Sequence, residues 1–104
     1  LRMGVKNRIG VGAVLGGEPQ DLAYQGAASG VIIGNGNTFR EYVTIHRGTK
    51  EGTDTVIGND CFLMVGAHVA HNCRLENGVK KTRSGIGRQP PPQSYSCFET
   101  DNFQ

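Results

Sequence analysis

The 104-residue chain has no tryptophan, four prolines and three cysteines, Cys61, Cys73 and Cys97, none of them in a Cys-X-X-Cys pair. An odd number of scattered cysteines argues against the disulfide framework of a small secreted domain and fits a reducing compartment better. No apolar run approaches the roughly 20 residues that a membrane-spanning helix needs. Charge of one sign is also lacking: the formal net charge is +2, and the first eighty residues mix acids and bases. The concentrated basic face with interleaved aromatics that marks a nucleic-acid binder is therefore missing. Lys80, Lys81, Arg83 and Arg88 form the one basic cluster, and such a run is expected to be a solvated tail. Leu1 to Lys6 could open a signal peptide, but the following stretch is Gly-rich and broken by Lys6 and Arg8, a poor signal core. Gly10-Val11-Gly12-Ala13-Val14-Leu15 fails the dinucleotide fingerprint at its last position, and no lysine follows a Gly-rich run as a phosphate loop requires.

Glycine is what the chain has in plenty. Its sixteen glycines are roughly twice the usual share of about 7%. With few prolines and no Gly-X-Y period, collagen is excluded and turn-rich β structure is expected.

Counting in sixes explains the glycines. From Ile57 the first positions of successive hexads are Ile57, Leu63, Val69 and Leu75, and the fifth positions are Cys61, Ala67, Cys73 and Val79. The same phase recurs upstream at Ile33, Phe39 and Ile45, with Asn37, Val43 and Thr49 in fifth place, and again at Met3, Ile9 and Leu15, with Asn7 and Ala13. Such a period predicts a parallel β-solenoid in which three hexads make one triangular coil of about 18 residues. The first position points into the prism and stacks on its counterpart a coil away. The fifth also faces inward near a corner, where only a small side chain fits, so Cys61 and Cys73 read as buried small hydrophobes. Glycine and asparagine at the corners tolerate positive φ. The three-and-four spacing of an amphipathic helix is absent.

Residues 1–80 thus read as an all-β hexapeptide-repeat β-helix, interrupted by loops near residues 17–30 and 50–55. Insertions in solenoids cluster on a binding face. Residues 81–104 break the rhythm and, with the Pro90-Pro91-Pro92 run, read as an irregular tail, disordered or frame-shifted. A solenoid usually ends in capping elements, and neither end of this sequence supplies one, so the chain reads as a truncated fragment.

All three histidines, His46, His68 and His71, fall within one stretch of the repeat. His68 and His71 lie around one corner and His46 in the preceding coil, so stacking brings them towards a single groove. Histidine suits acid–base work near neutral pH. A three-histidine zinc site is the competing reading. The His68-Val69-Ala70-His71 spacing is narrower than the paired ligands of the solenoid carbonic anhydrases, and Asn72 is no ligand.

Three segments carry a family likeness. Glu18-Pro19-Gln20-Asp21-Leu22-Ala23-Tyr24 resembles a loop written QDLKY. Phe39 to Thr49 resembles a run written RESVTIHRGT, and Leu63 to Cys73 resembles LMxxAHxAHDC. In order and separation they are similar to the acyl-carrier-protein–UDP-N-acetylglucosamine O-acyltransferases, the first enzymes of lipid A synthesis. The likeness implies a left-handed parallel β-helix that forms a cytoplasmic homotrimer with active sites between subunits. It implies transfer of a (3R)-3-hydroxyacyl chain from acyl carrier protein to the 3-hydroxyl of UDP-N-acetylglucosamine, with no cofactor or metal. By the same likeness His71 matches the general base, while His46, His68 and Asp21 match residues that hold the nucleotide sugar. Asn72 stands where the family commonly has an Asp beside the base, and Ala23 where it has a Lys. The family's further coils and helical C-terminal domain have no counterpart in these 104 residues. A non-catalytic solenoid fragment, or a related enzyme of the same fold such as an N-acyltransferase, are the alternatives.

Overall fold

Short strands laid end to end around a triangular prism form each coil of the computed structural model. It describes residues 1–20, 22, 24–82, 85–86 and 95–97, the last two segments by their backbone alone. The first coil holds β1 (Arg2–Met3), β2 (Arg8–Ile9) and β3 (Val14–Gly17). The second holds β4 (Gly30–Ile33), β5 (Thr38–Phe39) and β6 (Thr44–His46), and the third β7 (Asp54–Ile57), β8 (Phe62–Leu63) and β9 (His68–Val69). A fourth begins with β10 (Cys73–Leu75) and β11 (Lys80–Thr82), after which come β12 (Gly85–Ile86) and β13 (Tyr95–Cys97). No helix occurs among the described residues, and so none long and apolar enough to cross a membrane.

The strands stack into three sheets, ordered β1-β4-β7-β10-β13, β2-β5-β8-β11-β12 and β3-β6-β9. Pairing between coils is parallel throughout; only β12 on β11 and β13 on β10 run antiparallel. The segment expected to be irregular, 81–104, therefore supplies the last two residues of β11 and two edge strands, and the rest of it lies outside the described residues.

Register explains why a six-residue count works across both loops. Ile57 pairs with Leu75, 18 residues on, the length of an uninterrupted coil. Ile33 pairs with Ile57 at a separation of 24, and Met3 with Ile33 at 30. The loop after β6 thus adds six residues and the loop after β3 adds twelve. Both are multiples of the hexad, so the inward columns keep their phase.

The core is those columns. Ile33, Ile57 and Leu75 line one, Phe39 and Leu63 a second, Ile45 and Val69 a third, all essentially without solvent contact. Burying side chains of this size contributes about 1.5–3 kcal/mol each. Ile9, which pairs with Phe39 in the first coil, is still 49% exposed. Lys81 continues the second column over Leu63 and is only 5% exposed, where a solvated lysine was expected. Strand alternation turns Lys80 outward and Lys81 inward, and burial pulls the Lys81 ammonium below the usual lysine range. Arg83 and Arg88 lie outside the described residues.

Polar groups also stack inside the prism. The Asn7 side-chain oxygen accepts from Asn37 N–H at 2.9 Å, and the Asn37 oxygen accepts from Cys61 N–H at 2.7 Å. Each amide nitrogen donates in turn to a corner carbonyl, Asn7 to Gly34 and Asn37 to Gly58. Asn37 is completely buried by this ladder. A second, exposed ladder runs outside the same corner, with the side-chain oxygens of Asn35, Asn59 and Asn77 accepting from the N–H of Val5, Asn35 and Asn59.

The corners adopt the left-handed conformation in columns. Lys6, Gly36, Asp60 and Gly78 do so at one corner, and Gly12, Tyr42 and Gly66 at the next. Gly12 also has a close neighbour in the exposed Tyr42 side chain, which would have to swing aside for a larger residue. A Cβ there would lie 2.3 Å from the Tyr42 ring, which folds over it.

Candidate functional site

The third corner, where β3, β6 and β9 end, gathers the chemistry. The twelve-residue insertion leaves it after β3 and the six-residue insertion after β6. In the third coil the chain turns there tightly through His71 and Asn72. Asn72 takes φ of +62°, a conformation that asparagine tolerates better than most side chains.

His68 opens β9 opposite Thr44 of β6, and its Nδ1 lies 2.8 Å from the Thr44 hydroxyl. His46 closes β6, and its ring meets that of His68 edge-on with centroids 4.6 Å apart. His71 follows one turn later, 8% exposed, with Nδ1 3.2 Å from the Asn72 side-chain oxygen. The expected meeting of the three histidines is thus present for His46 and His68 as a direct ring contact. His71 adjoins them at the corner and depresses His46 electrostatically. Asp21 and Ala23 lie outside the described residues.

Burial and crowding keep two of these rings neutral. Burial is the main cause that pushes His68 down to about 4, with the charge of His46 and then Lys81 adding to it. His46 is lowered by burial first and by His71 second. A ring that is uncharged in the fold but protonates readily when unfolded stabilises fully above the unfolded value near 6.5. That stability is lost as the pH falls from there towards about 4. Denaturant melts between pH 7 and 4 should therefore show an acid-side loss that His68→Gln reduces. Equal slopes for the two proteins would refute the assignment.

Asn72 is the hub behind His71. Its side-chain oxygen accepts from Thr49 N–H at 3.1 Å and from the Thr49 hydroxyl at 3.2 Å. Its own N–H donates to the Thr55 hydroxyl at 2.8 Å, and that hydroxyl donates to the His46 carbonyl at 2.6 Å. Thr49 and Thr55 are both buried. Their part was not foreseen from the sequence, because residues 49, 55 and 72 meet only once coils stack.

Arg47 fastens the longer loop to the same corner. Its guanidinium donates to the Tyr24 hydroxyl at 3.1 and 2.6 Å and to the Gly16 carbonyl at 3.0 Å, and it lies over the Tyr24 ring. Ser29 donates to the Gly48 carbonyl and ties the loop's far end. Among the described residues no group of three or more His, Cys, Asp or Glu is arranged to hold a metal ion.

The cysteines divide. Cys61 is a buried free thiol, raised by burial, as its fifth-position place predicts. Cys73 is equally buried but disulfide-bonded, contrary to the free thiol expected. The antiparallel return of β13 accounts for the difference, since its backbone register sets residue 97 opposite residue 73.

Searched against protein-family models, the chain matches none. Individual relatives are close. The acyl-(acyl-carrier-protein)–UDP-N-acetylglucosamine O-acyltransferase of Gloeothece citriformis is 61% identical over 77 residues, 74% of this chain and 28% of the relative. That of Synechocystis is 60% identical over a segment of the same size. Over this segment the chain is homologous to the UDP-N-acetylglucosamine O-acyltransferases. Two solved acyltransferases of the family agree in shape. The Moraxella catarrhalis enzyme superposes with a TM-score of 0.64 at 42% identity, covering 70% of this chain and 30% of its own. The Bacteroides fragilis enzyme gives 0.65 at 44%, covering 78% and 34%. The fold is the left-handed parallel β-helix of that family. The chain spans about 30% of the length of the relatives it matches.

Proposed function

We propose that this segment carries the nucleotide-sugar side of an acyl-transfer site, with His71 as general base. The acyl donor is a (3R)-3-hydroxyacyl thioester of acyl carrier protein, and the acceptor is the 3-hydroxyl of UDP-N-acetylglucosamine. His71 takes the hydroxyl proton as the oxygen attacks the thioester carbonyl. The new ester C–O bond forms, the C–S bond breaks, and the carrier leaves as a thiol once it regains a proton. The thioester is already activated, so the step calls for no metal or cofactor. His46, His68 and Asp21 hold the nucleotide sugar. The site is completed between neighbouring subunits of a homotrimer in the cytoplasm, a reducing compartment in which the Cys73 disulfide would be open.

What supports this reading is the buried His71 imidazole, backed at Nδ1 by Asn72, at the corner where two histidines and both loops converge. The same segment is 61% identical to a named acyltransferase of this specificity. Two neutral histidines beside the base fit a sugar-holding role, since an uncharged ring can both donate and accept a hydrogen bond.

A chimaera tests it. Residues 3–80 would replace the matching coils of a full-length relative, and ester formation from acyl carrier protein and UDP-N-acetylglucosamine would be followed. Transfer within tenfold of the parent is expected. A folded, trimeric chimaera without transfer would overturn the reading.

A further inference from the structure

We infer that Thr49, in the loop after β6, is a positioning residue that fixes the imidazole tautomer of His71 through the side chain of Asn72. A backbone N–H can only donate, so the Asn72 atom 3.1 Å from Thr49 N–H must be its oxygen rather than its amide nitrogen. That one contact decides which way the carboxamide faces. The Thr49 hydroxyl, 3.2 Å from the same oxygen, then has to donate as well. His71 Nδ1 also faces this oxygen, at 3.2 Å. Two acceptors do not share a hydrogen bond, so Nδ1 carries the hydrogen, and the lone pair of the neutral ring lies on Nε2.

Thr49 is well placed for this. It is 5% exposed, and Asn72 is equally buried, so water competes little for the shared oxygen. The Thr55 hydroxyl holds Asn72 N–H at 2.8 Å and keeps the left-handed corner in place while Thr49 orients the side chain. With a carboxylate at position 72, either oxygen would serve and no donor would be needed to choose between them. With Asn72 the choice matters, because the rotated carboxamide would present N–H to Nδ1 and reverse the tautomer. Thr49 thereby restores a direction that the amide alone lacks.

The catalytic consequence rests on His71 being the base; the tautomer itself does not. The test is therefore read without turnover, by two-bond ¹H–¹⁵N correlation spectra of the histidine rings in the full 104-residue chain above pH 7. Wild type should show His71 as the Nδ1–H form. Thr49→Val removes the hydroxyl at nearly constant volume and leaves the backbone donor. Losing one hydrogen bond of ordinary strength should lower the ratio of Nδ1–H to Nε2–H about fivefold. Thr49→Ser, which keeps the hydroxyl, should restore the wild-type ratio. An Nε2–H ring in wild type overturns the inference, as does a Val variant with the wild-type ratio or a Ser variant as altered as Val. Should Thr49→Val fail to fold, the wild-type and Ser spectra still decide it. Loss of transfer in the chimaera would remove the role of His71 as base while leaving this result untouched.

Discussion

His71→Ala in the chimaera should lower kcat for acyl transfer by about 10²–10⁴-fold, the usual contribution of a positioned general base, and leave KM nearly unchanged. The asymmetry follows from what the residue is proposed to do. Proton removal from the sugar hydroxyl is felt in the transition state rather than on binding, so its loss falls on turnover. The corner should survive the change, because the bonds of Asn72 to Thr49 and Thr55 do not pass through the His71 ring. Initial rates over a range of nucleotide-sugar concentrations, with circular dichroism to confirm β content, would separate the two parameters. Activity near that of the unmodified chimaera would take His71 out of the mechanism. A rise in KM with kcat intact would make it a binding residue instead.

The largest stability effect is expected at Phe39. It is 1% exposed and sits in the middle of its column, with Ile9 on one side and Leu63 on the other. Phe39→Ala should cost about 3–5 kcal/mol, the upper part of the range for core truncations. The prism leaves little room to relax. Three sheets of parallel ladders hold its walls at fixed spacing, so the void left by the ring cannot close without breaking interstrand bonds. For a domain whose total stability is about 5–15 kcal/mol, such a loss would shift the urea midpoint severely. A measured cost under 1 kcal/mol would mean that the coil collapses around the gap, and that the ladders are softer than their geometry indicates.

Much of this fold was legible in the residue order, for a definite reason. The loops add six and twelve residues, so the column that begins at Ile33 resumes at Ile57 without a change of phase. Had either insertion been of another length, the hexads would have lost step at the very corner that matters. The histidines were legible for the same reason, since phase alone puts His46 and His68 on adjacent strands of one face. Contacts made by inserted residues were not. Thr49 keeps its fifth-position phase, but its bond to Asn72 is made where the inserted loop leaves the coil, and Arg47 meets the inserted Tyr24 across 23 positions. Lys81 was misjudged because a charged residue at an inward position looks like the end of a repeat, whereas the backbone of β11 keeps the pattern through Thr82. The disulfide at Cys73 depended on an antiparallel return that no hexad count foresees.

The buried asparagine ladder has a consequence for how the chain finds its alignment. Apolar columns that repeat every six residues are nearly interchangeable, so a coil rotated by one face of the triangle would still bury aliphatics on aliphatics. Asn37 is not interchangeable. Its oxygen and amide nitrogen are satisfied by Cys61 N–H, Asn7 and the Gly58 carbonyl, while the next face offers only Ala13, Val43 and Ala67 at equivalent places, and the third Thr49 and Cys73. A mis-threaded coil would leave at least one of these polar groups dry, at about 1–3 kcal/mol apiece. The ladder therefore works as a key against misalignment, rejecting the rotation onto the Ala13–Val43–Ala67 face that hydrophobicity alone would accept.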